Sequence, residues 1–112
     1  MRLKGGVHMK KRSELVAELE AELLAACKRS EHVLKRYALH TREMISEMGA
    51  VRAAKHIVKM PRINDGFVDL LLLGKAKLTV EYIVAKKKYA TLFDADVQAA
   101  AWNKVAFACK KH

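Results

Sequence analysis

The 112-residue chain has little of several residue types that would mark common protein classes. Its two cysteines, Cys27 and Cys109, stand far apart and in no metal-binding spacing, so the disulfide framework typical of small secreted domains is not expected. Both are predicted to be reduced thiols in a cytoplasmic protein. One proline and five glycines, beside 52% hydrophobic and 30% charged residues, exclude collagen-like and disordered chains.

Long apolar runs are missing as well. A run such as Leu70 to Leu73 is far short of the roughly 18 residues that cross a bilayer, so no membrane-spanning helix and no membrane partner are expected. The basic start of the chain is followed by Ser13 and Glu14 rather than by an apolar segment. We therefore expect no signal peptide.

Recognisable catalytic and cofactor motifs are absent. The five histidines form no HExxH or HxH arrangement, and the chain has neither a Walker loop nor a GxGxxG phosphate-binding motif. Glu43, Glu47 and Glu81 could gather around Mg²⁺, as in a small nuclease, but nothing in their spacing demands it. The sequence therefore predicts a protein without catalytic, metal-binding or cofactor-binding residues, and a nuclease is the weakest hypothesis.

What the sequence does contain is the apolar spacing of helices. From Ser13 to about Tyr37, apolar residues recur with a period near 3.6, which predicts one long helix with Ser13 as its N-cap. The further helices are predicted over residues 41–48, 50–59, 67–73, 79–85 and from 94 onwards. Residues 78–84 are rich in strand formers, but a helix is favoured there. The predicted fold is all-α: residues 13–112 form a single compact bundle of five or six helices, and residues 1–12 form a basic, irregular arm.

The few aromatic residues are divided between core and surface. Phe93, Trp102 and Phe107 are predicted to lie in the core. Tyr89 follows the three lysines at 86–88 and could stack on a base beside a phosphate contact. The alternative is that Tyr89 packs at the edge of the bundle.

The net charge of +10 is arranged in blocks along the chain. Residues 1–12 carry five basic and no acidic side chains, residues 13–26 carry four acidic and no basic ones, and residues 27–62 carry nine basic against three acidic. Such a basic chain binds polyanions at low salt whatever its function. The charge alone is therefore weak support for a nucleic-acid partner.

One predicted helix has a basic stripe opposite an apolar one. Arg52, Lys55 and Lys59 share a face of helix 50–59, and Arg62 follows its end. This pattern is typical of a helix that tracks phosphates, although an ordinary solvated face gives the same pattern. The short break at 49 between two helices only loosely suggests a helix-turn-helix, because the usual small-residue pattern is missing.

A longer pattern resembles a group of small helical bacterial and phage domains. The resemblance is carried by Met48-Gly49-Ala50-Val51, Gly66-Phe67, Leu70, Gly74, Leu78-Thr79, Glu81 and Leu92-Phe93. The chain departs from the pattern at Ala38-Leu39, where such sequences tend to have Asn-Pro, and near Val97, where they tend to have an acidic residue. The resemblance implies an all-α fold and a bacterial or phage origin. It implies no activity and no site residues.

The predicted function is a non-catalytic nucleic-acid-binding or nucleic-acid-associated accessory protein, with DNA favoured over RNA. The residues predicted to contact phosphates are Arg52, Lys55, Lys59, Arg62, Lys86, Lys87, Lys88, Lys10, Lys11 and Arg12. The alternative is a protein–protein module: a homodimer, a domain that docks on an acidic partner, or a phage or mobile-element regulator of a bacterial nucleic-acid-handling enzyme. An apolar stripe left exposed on the helix over residues 13–37 would favour that alternative.

Overall fold

The computed structural model describes the backbone of residues 10–60 and 65–111 and the side chains of residues 10–60 and 66–106. This part of the chain folds into six α-helices and two short 3-10 turns, at Ala76–Leu78 and Lys87–Tyr89. The helices are α1 Arg12–Leu34, α2 Leu39–Met48, α3 Ala50–Lys59, α4 Asp65–Leu72, α5 Val80–Val84 and α6 Ala95–Lys111. No strand occurs within it, so the all-α prediction is confirmed and residues 80–84 are helical.

Helix α3 lies at the centre of the bundle and contacts α1, α2, α5 and α6. It can do so because three of its five buried residues are alanines, which let neighbouring helices approach closely. Leu19 and Leu23 of α1 are buried in the same cluster. A smaller cluster of Phe67, Leu71 and Val105 joins α4 to α6. The position of α3 in this core leaves one of its faces for solvent.

Local residue chemistry sets the helix ends. Gly49 joins α2 to α3 with φ +83° and ψ 161°, a region that is almost restricted to glycine. The hydroxyl of Thr79 accepts a hydrogen bond of 3.1 Å from the backbone N–H of Tyr82, so Thr79 is the N-cap of α5. At α1 the helix begins one residue before the predicted cap Ser13. Its N-cap is Lys11, whose backbone N–H donates to the carboxylate of Glu14 at 2.9 Å.

Of the two alternatives for Tyr89, packing in the bundle is the one observed, whereas the prediction that Trp102 lies in the core is wrong. Tyr89 is fully buried, so it cannot stack on a base. Trp102, expected in the core, is 52% exposed. The reason lies in the helical register of α6: Val97, Ala101 and Val105, spaced by four, point into the core, and Trp102 falls beside that line. Phe93 is buried as predicted, whereas the side chain of Phe107 lies outside the described residues.

Cys27 is buried on α1 and is a free thiol. Burial raises the pKa of this thiol above its ordinary value. None of the described helices combines the length and the apolar character needed to cross a membrane.

Candidate nucleic-acid interface

The basic side chains predicted on α3 share one exposed face. Arg52, His56 and Lys59 are exposed, and Lys55 is half-buried. The face is set by the apolar residues on the other side of the helix, chiefly Ala53, Ala54, Ile57 and Val58, which are buried. We call Arg52, Lys55 and Lys59 the α3 stripe. Within the described residues none of these three cations has an acidic partner, and Arg62 lies outside those residues.

The lysine run and the end of the arm are arranged differently, because they face the acidic half of α1. Lys88 contacts the carboxylates of Glu18 at 2.7 Å and Glu22 at 3.4 Å. Lys86 pairs with Glu22, and Lys10 pairs with Glu18. Three of the cations predicted to contact phosphate are therefore already balanced by carboxylates of the protein.

The pKa values of these carboxylates follow from the pairing. Hydrogen bonds from Lys10 and Lys88 lower the pKa of Glu18 to about 2. Burial alone would raise the pKa of Glu22, but hydrogen bonds from Lys86 and Tyr89 outweigh it and lower the pKa. Both groups stay ionised at neutral pH, so the lysines beside them keep their partners.

Tyr89 belongs to this ion-paired cluster. Its hydroxyl donates to Glu22 at 2.5 Å, and the ammonium of Lys88 lies 5.2 Å from the ring centroid. Burial, followed by the neighbouring carboxylate of Glu22, raises the pKa of the phenol. Tyr89 is thus a structural residue that holds the turn at 87–89 against α1.

The remaining predicted contacts lie near the same turn. Lys11 and Lys87 are exposed and have no ion pair within the described residues. Arg12 donates to the carbonyl oxygen of Thr91 at 3.4 Å. The predicted footprint therefore falls into two parts: the unpaired α3 stripe, and a cluster around the turn in which three cations, Lys10, Lys86 and Lys88, are paired with carboxylates.

A second basic surface was not predicted from the sequence. It is a groove between the second half of α1, the segment 74–78 and α6. Its lining includes five residues that carry or can carry positive charge: Lys28, Arg29, His32, Lys75 and Lys77. Tyr82, Trp102 and Val105 supply the apolar part. We call this surface the basic groove; none of its described lining residues is acidic.

The basic groove could not be found from spacing because its walls come from three distant parts of the chain. One signal was available: Trp102 does not share the four-residue spacing that aligns Val97, Ala101 and Val105. A residue that directly follows this line in the sequence is expected at the border between the buried and the exposed face of the helix. Its neighbours across the groove, however, depend on how α1 and α6 pack.

The three carboxylates considered for a nuclease do not meet. Glu43 and Glu47 are exposed on α2, whereas Glu81 is buried 3.8 Å from the amino group of Lys104. Burial raises the pKa of Glu81. Among the described side chains, those of residues 10–60 and 66–106, no three from His, Cys, Asp or Glu gather as metal ligands would.

No protein-family model matches the chain, and no curated protein or solved structure is significantly similar to it. The resemblance to small bacterial and phage domains stays a prediction. The function is therefore argued from the two basic surfaces.

Proposed function

We propose that this protein binds nucleic acid without catalysing a reaction, in the cytoplasm of a bacterium or in a phage-infected cell, with DNA favoured over RNA. The observation that supports the proposal is the uneven pairing of its charges. The acidic half of α1 balances Lys10, Lys86 and Lys88, whereas the α3 stripe has no acidic partner within the described residues. The basic groove likewise lacks acidic lining residues there.

Pairing matters because a phosphate responds to the local field and not to the net charge. A lysine that already touches a carboxylate attracts a phosphate weakly, since the carboxylate repels the same phosphate at nearly the same distance. An unpaired cation releases condensed counterions when it reaches the backbone of DNA, which is the main source of non-specific affinity. The α3 stripe and the basic groove are therefore the surfaces expected to contact phosphates.

The test is a salt titration of binding, measured by fluorescence anisotropy with duplex DNA, single-stranded DNA and RNA. We expect binding to persist at about 150 mM salt. Replacing all three residues of the α3 stripe with alanine should lower the slope of log K against log salt for duplex DNA by about 2.7, because each lost phosphate contact contributes about 0.9.

The matched control removes the same number of charges from the paired cluster: Lys10→Ala, Lys86→Ala and Lys88→Ala together. This variant should change the slope clearly less than the α3 variant does. Equal losses in the two variants would mean that affinity follows net charge alone, and the proposal would be rejected. Loss of all binding by the unmodified protein between about 50 and 150 mM salt would reject it as well.

A protein–protein module is the second candidate, and one observation favours it. Leu72 and Leu73, at the end of α4, are both more than half exposed. A homodimer through α1 is less supported, because the apolar stripe of that helix is buried or half-buried. If the protein fails to bind nucleic acid, its mass in solution by light scattering, compared with that of a Leu72→Ser, Leu73→Ser variant, tests self-association through this pair.

A further inference from the structure

We propose that the basic groove binds single-stranded nucleic acid, with Trp102 stacking on a base and the surrounding cations holding phosphates. The inference rests on the proposed function, since it needs a protein that binds nucleic acid. It goes further by naming the form of nucleic acid and by assigning it to a surface other than the α3 stripe.

The first argument is the charge of the groove. Lys28 and Arg29 are adjacent on α1 and His32 follows one turn later, and Lys75 and Lys77 follow the end of α4. Cations from two separate walls face one cleft, and no acidic side chain among the described lining residues opposes them. A strand of phosphates is the chemistry that such a cleft complements.

The second argument is Trp102. The indole is 52% exposed in the cleft, and Tyr82 lies half-buried beside it. A large aromatic side chain gains free energy by burial, so one that stays exposed among cations is an informative departure from ordinary packing. Bases offer a flat π-face to such a side chain whatever their identity.

The third argument separates single strands from duplexes. In a duplex the faces of the bases are stacked on one another, so an indole at the surface of a protein cannot reach them. A single strand exposes base faces and phosphates alternately, which matches an aromatic side chain flanked by cations.

The experiment uses the single tryptophan of the chain as its own probe. Oligothymidylate, oligouridylate and a duplex of equal length are titrated at about 150 mM salt while tryptophan fluorescence is recorded. We expect both single strands, or one of them, to quench Trp102, because a stacked base quenches indole emission. The duplex should leave the emission nearly unchanged even where anisotropy shows that it binds.

Two substitutions test the stacking directly by anisotropy. Trp102→Leu should weaken single-strand binding roughly 5-fold or more, the effect of losing one stacked base, and should leave duplex binding unchanged. Trp102→Phe keeps a ring and should recover most of the loss. Circular dichroism of both variants shows whether the bundle is intact.

A matched pair of double variants locates the phosphates. Lys75→Ala with Lys77→Ala removes two charges from the groove, and Arg52→Ala with Lys59→Ala removes two from the α3 stripe. For single strands we expect the groove variant to lower the salt slope by about 1.4 and the α3 variant to leave it unchanged. For the duplex we expect the α3 variant to lower the salt slope and the groove variant to leave it unchanged.

The outcomes separate the inference from the proposed function. Single strands that bind by anisotropy but neither quench Trp102 nor respond to Trp102→Leu would overturn the inference, while the proposed function would stand. Equal effects of the two double variants on single strands would overturn it as well. Failure of every nucleic acid to bind would reject both.

Discussion

The buried phenol of Tyr89 ties the turn at 87–89 to α1 through one hydrogen bond to a carboxylate. Because Glu22 is ionised and the phenol is fully buried, this bond is of the stronger, charge-assisted kind. We expect Tyr89→Phe to lower the free energy of unfolding by about 1.5 kcal/mol. Urea denaturation measures the loss. The control is Tyr82→Phe, whose ring is half-buried and which should change stability by less than about 0.5 kcal/mol; an equal effect of both would contradict the role of the bond.

Glu81 carries a buried carboxyl group, and burial disfavours its ionised form. Its pKa lies above the ordinary value of 4.5, so the folded protein keeps a proton that the unfolded chain has already lost. Stability should therefore fall as the pH rises from 4.5 through the pKa of the folded state. Glu81→Gln removes this penalty and should be more stable than the parent protein at pH 7, and the advantage should vanish below pH 4.5.

The measurement for Glu81 is the urea midpoint of parent and variant at several pH values. In this variant Lys104 keeps its hydrogen bonds to the carbonyl oxygens of Ile57 and Met60, at 3.4 and 3.1 Å, so its ammonium group still has partners. Glu43→Gln, on the exposed face of α2, is the control, because it makes the same change at a carboxylate that is not buried. A variant less stable than the parent at pH 7 would mean that the pair with Lys104 outweighs the burial.

Individual side chains were only partly predictable. Phe93 is buried as expected, and Cys27 is buried as well, since apolar residues of this size fit a helical core. For Tyr89 the sequence left stacking and packing both open, because the partner of its hydroxyl, Glu22, is 67 residues away in the sequence. Trp102 is exposed although it is apolar, because the register of α6 places it beside the buried line of Val97, Ala101 and Val105.

At the scale of elements, the joint between α2 and α3 depends on one glycine. Gly49 has φ +83° and ψ 161°, and a Cβ added there would meet no atom within 4 Å. The cost of Gly49→Ala is therefore entirely backbone strain, for which we expect about 1–3 kcal/mol. Thermal or urea unfolding measures it, with Ser46→Ala on the exposed side of α2 as the control. A loss below about 0.5 kcal/mol would show that the joint can adopt another conformation.

The elements themselves could be predicted well. Helix α3 has the predicted bounds 50–59, and α2, α4 and α5 lie within two residues of theirs, because period and breakers are local properties. The α3 stripe follows from the same period. The basic groove does not, because it exists only where α1, the segment 74–78 and α6 pack together.

At the scale of the whole molecule, the ion-paired cluster makes stability sensitive to acid. The pKa of Glu18 is about 2 in the folded protein and 4.5 ordinarily, so its contribution is complete above pH 4.5 and is lost as the pH falls towards 2. The urea midpoint should fall over this range, and Glu18→Gln should fall less steeply. Glu20→Gln, an exposed neighbour on α1 without an ion pair in the described residues, serves as the control. Identical pH profiles for parent and Glu18→Gln would contradict the assignment.

The rate at which the buried thiol of Cys27 is alkylated can report how often the folded structure opens locally. Only a solvated thiolate reacts with an alkylating reagent. The Cys27 thiol is buried and its pKa is raised, so we expect each reaction to need a local opening of the structure around it. In a Cys109→Ser background the alkylation rate would count these openings. Lys28 and Arg29 follow Cys27 directly on α1 and line the groove. If a single strand binds in the groove as proposed, we expect it to hold α1 in place and to slow the alkylation of Cys27 as the groove is occupied.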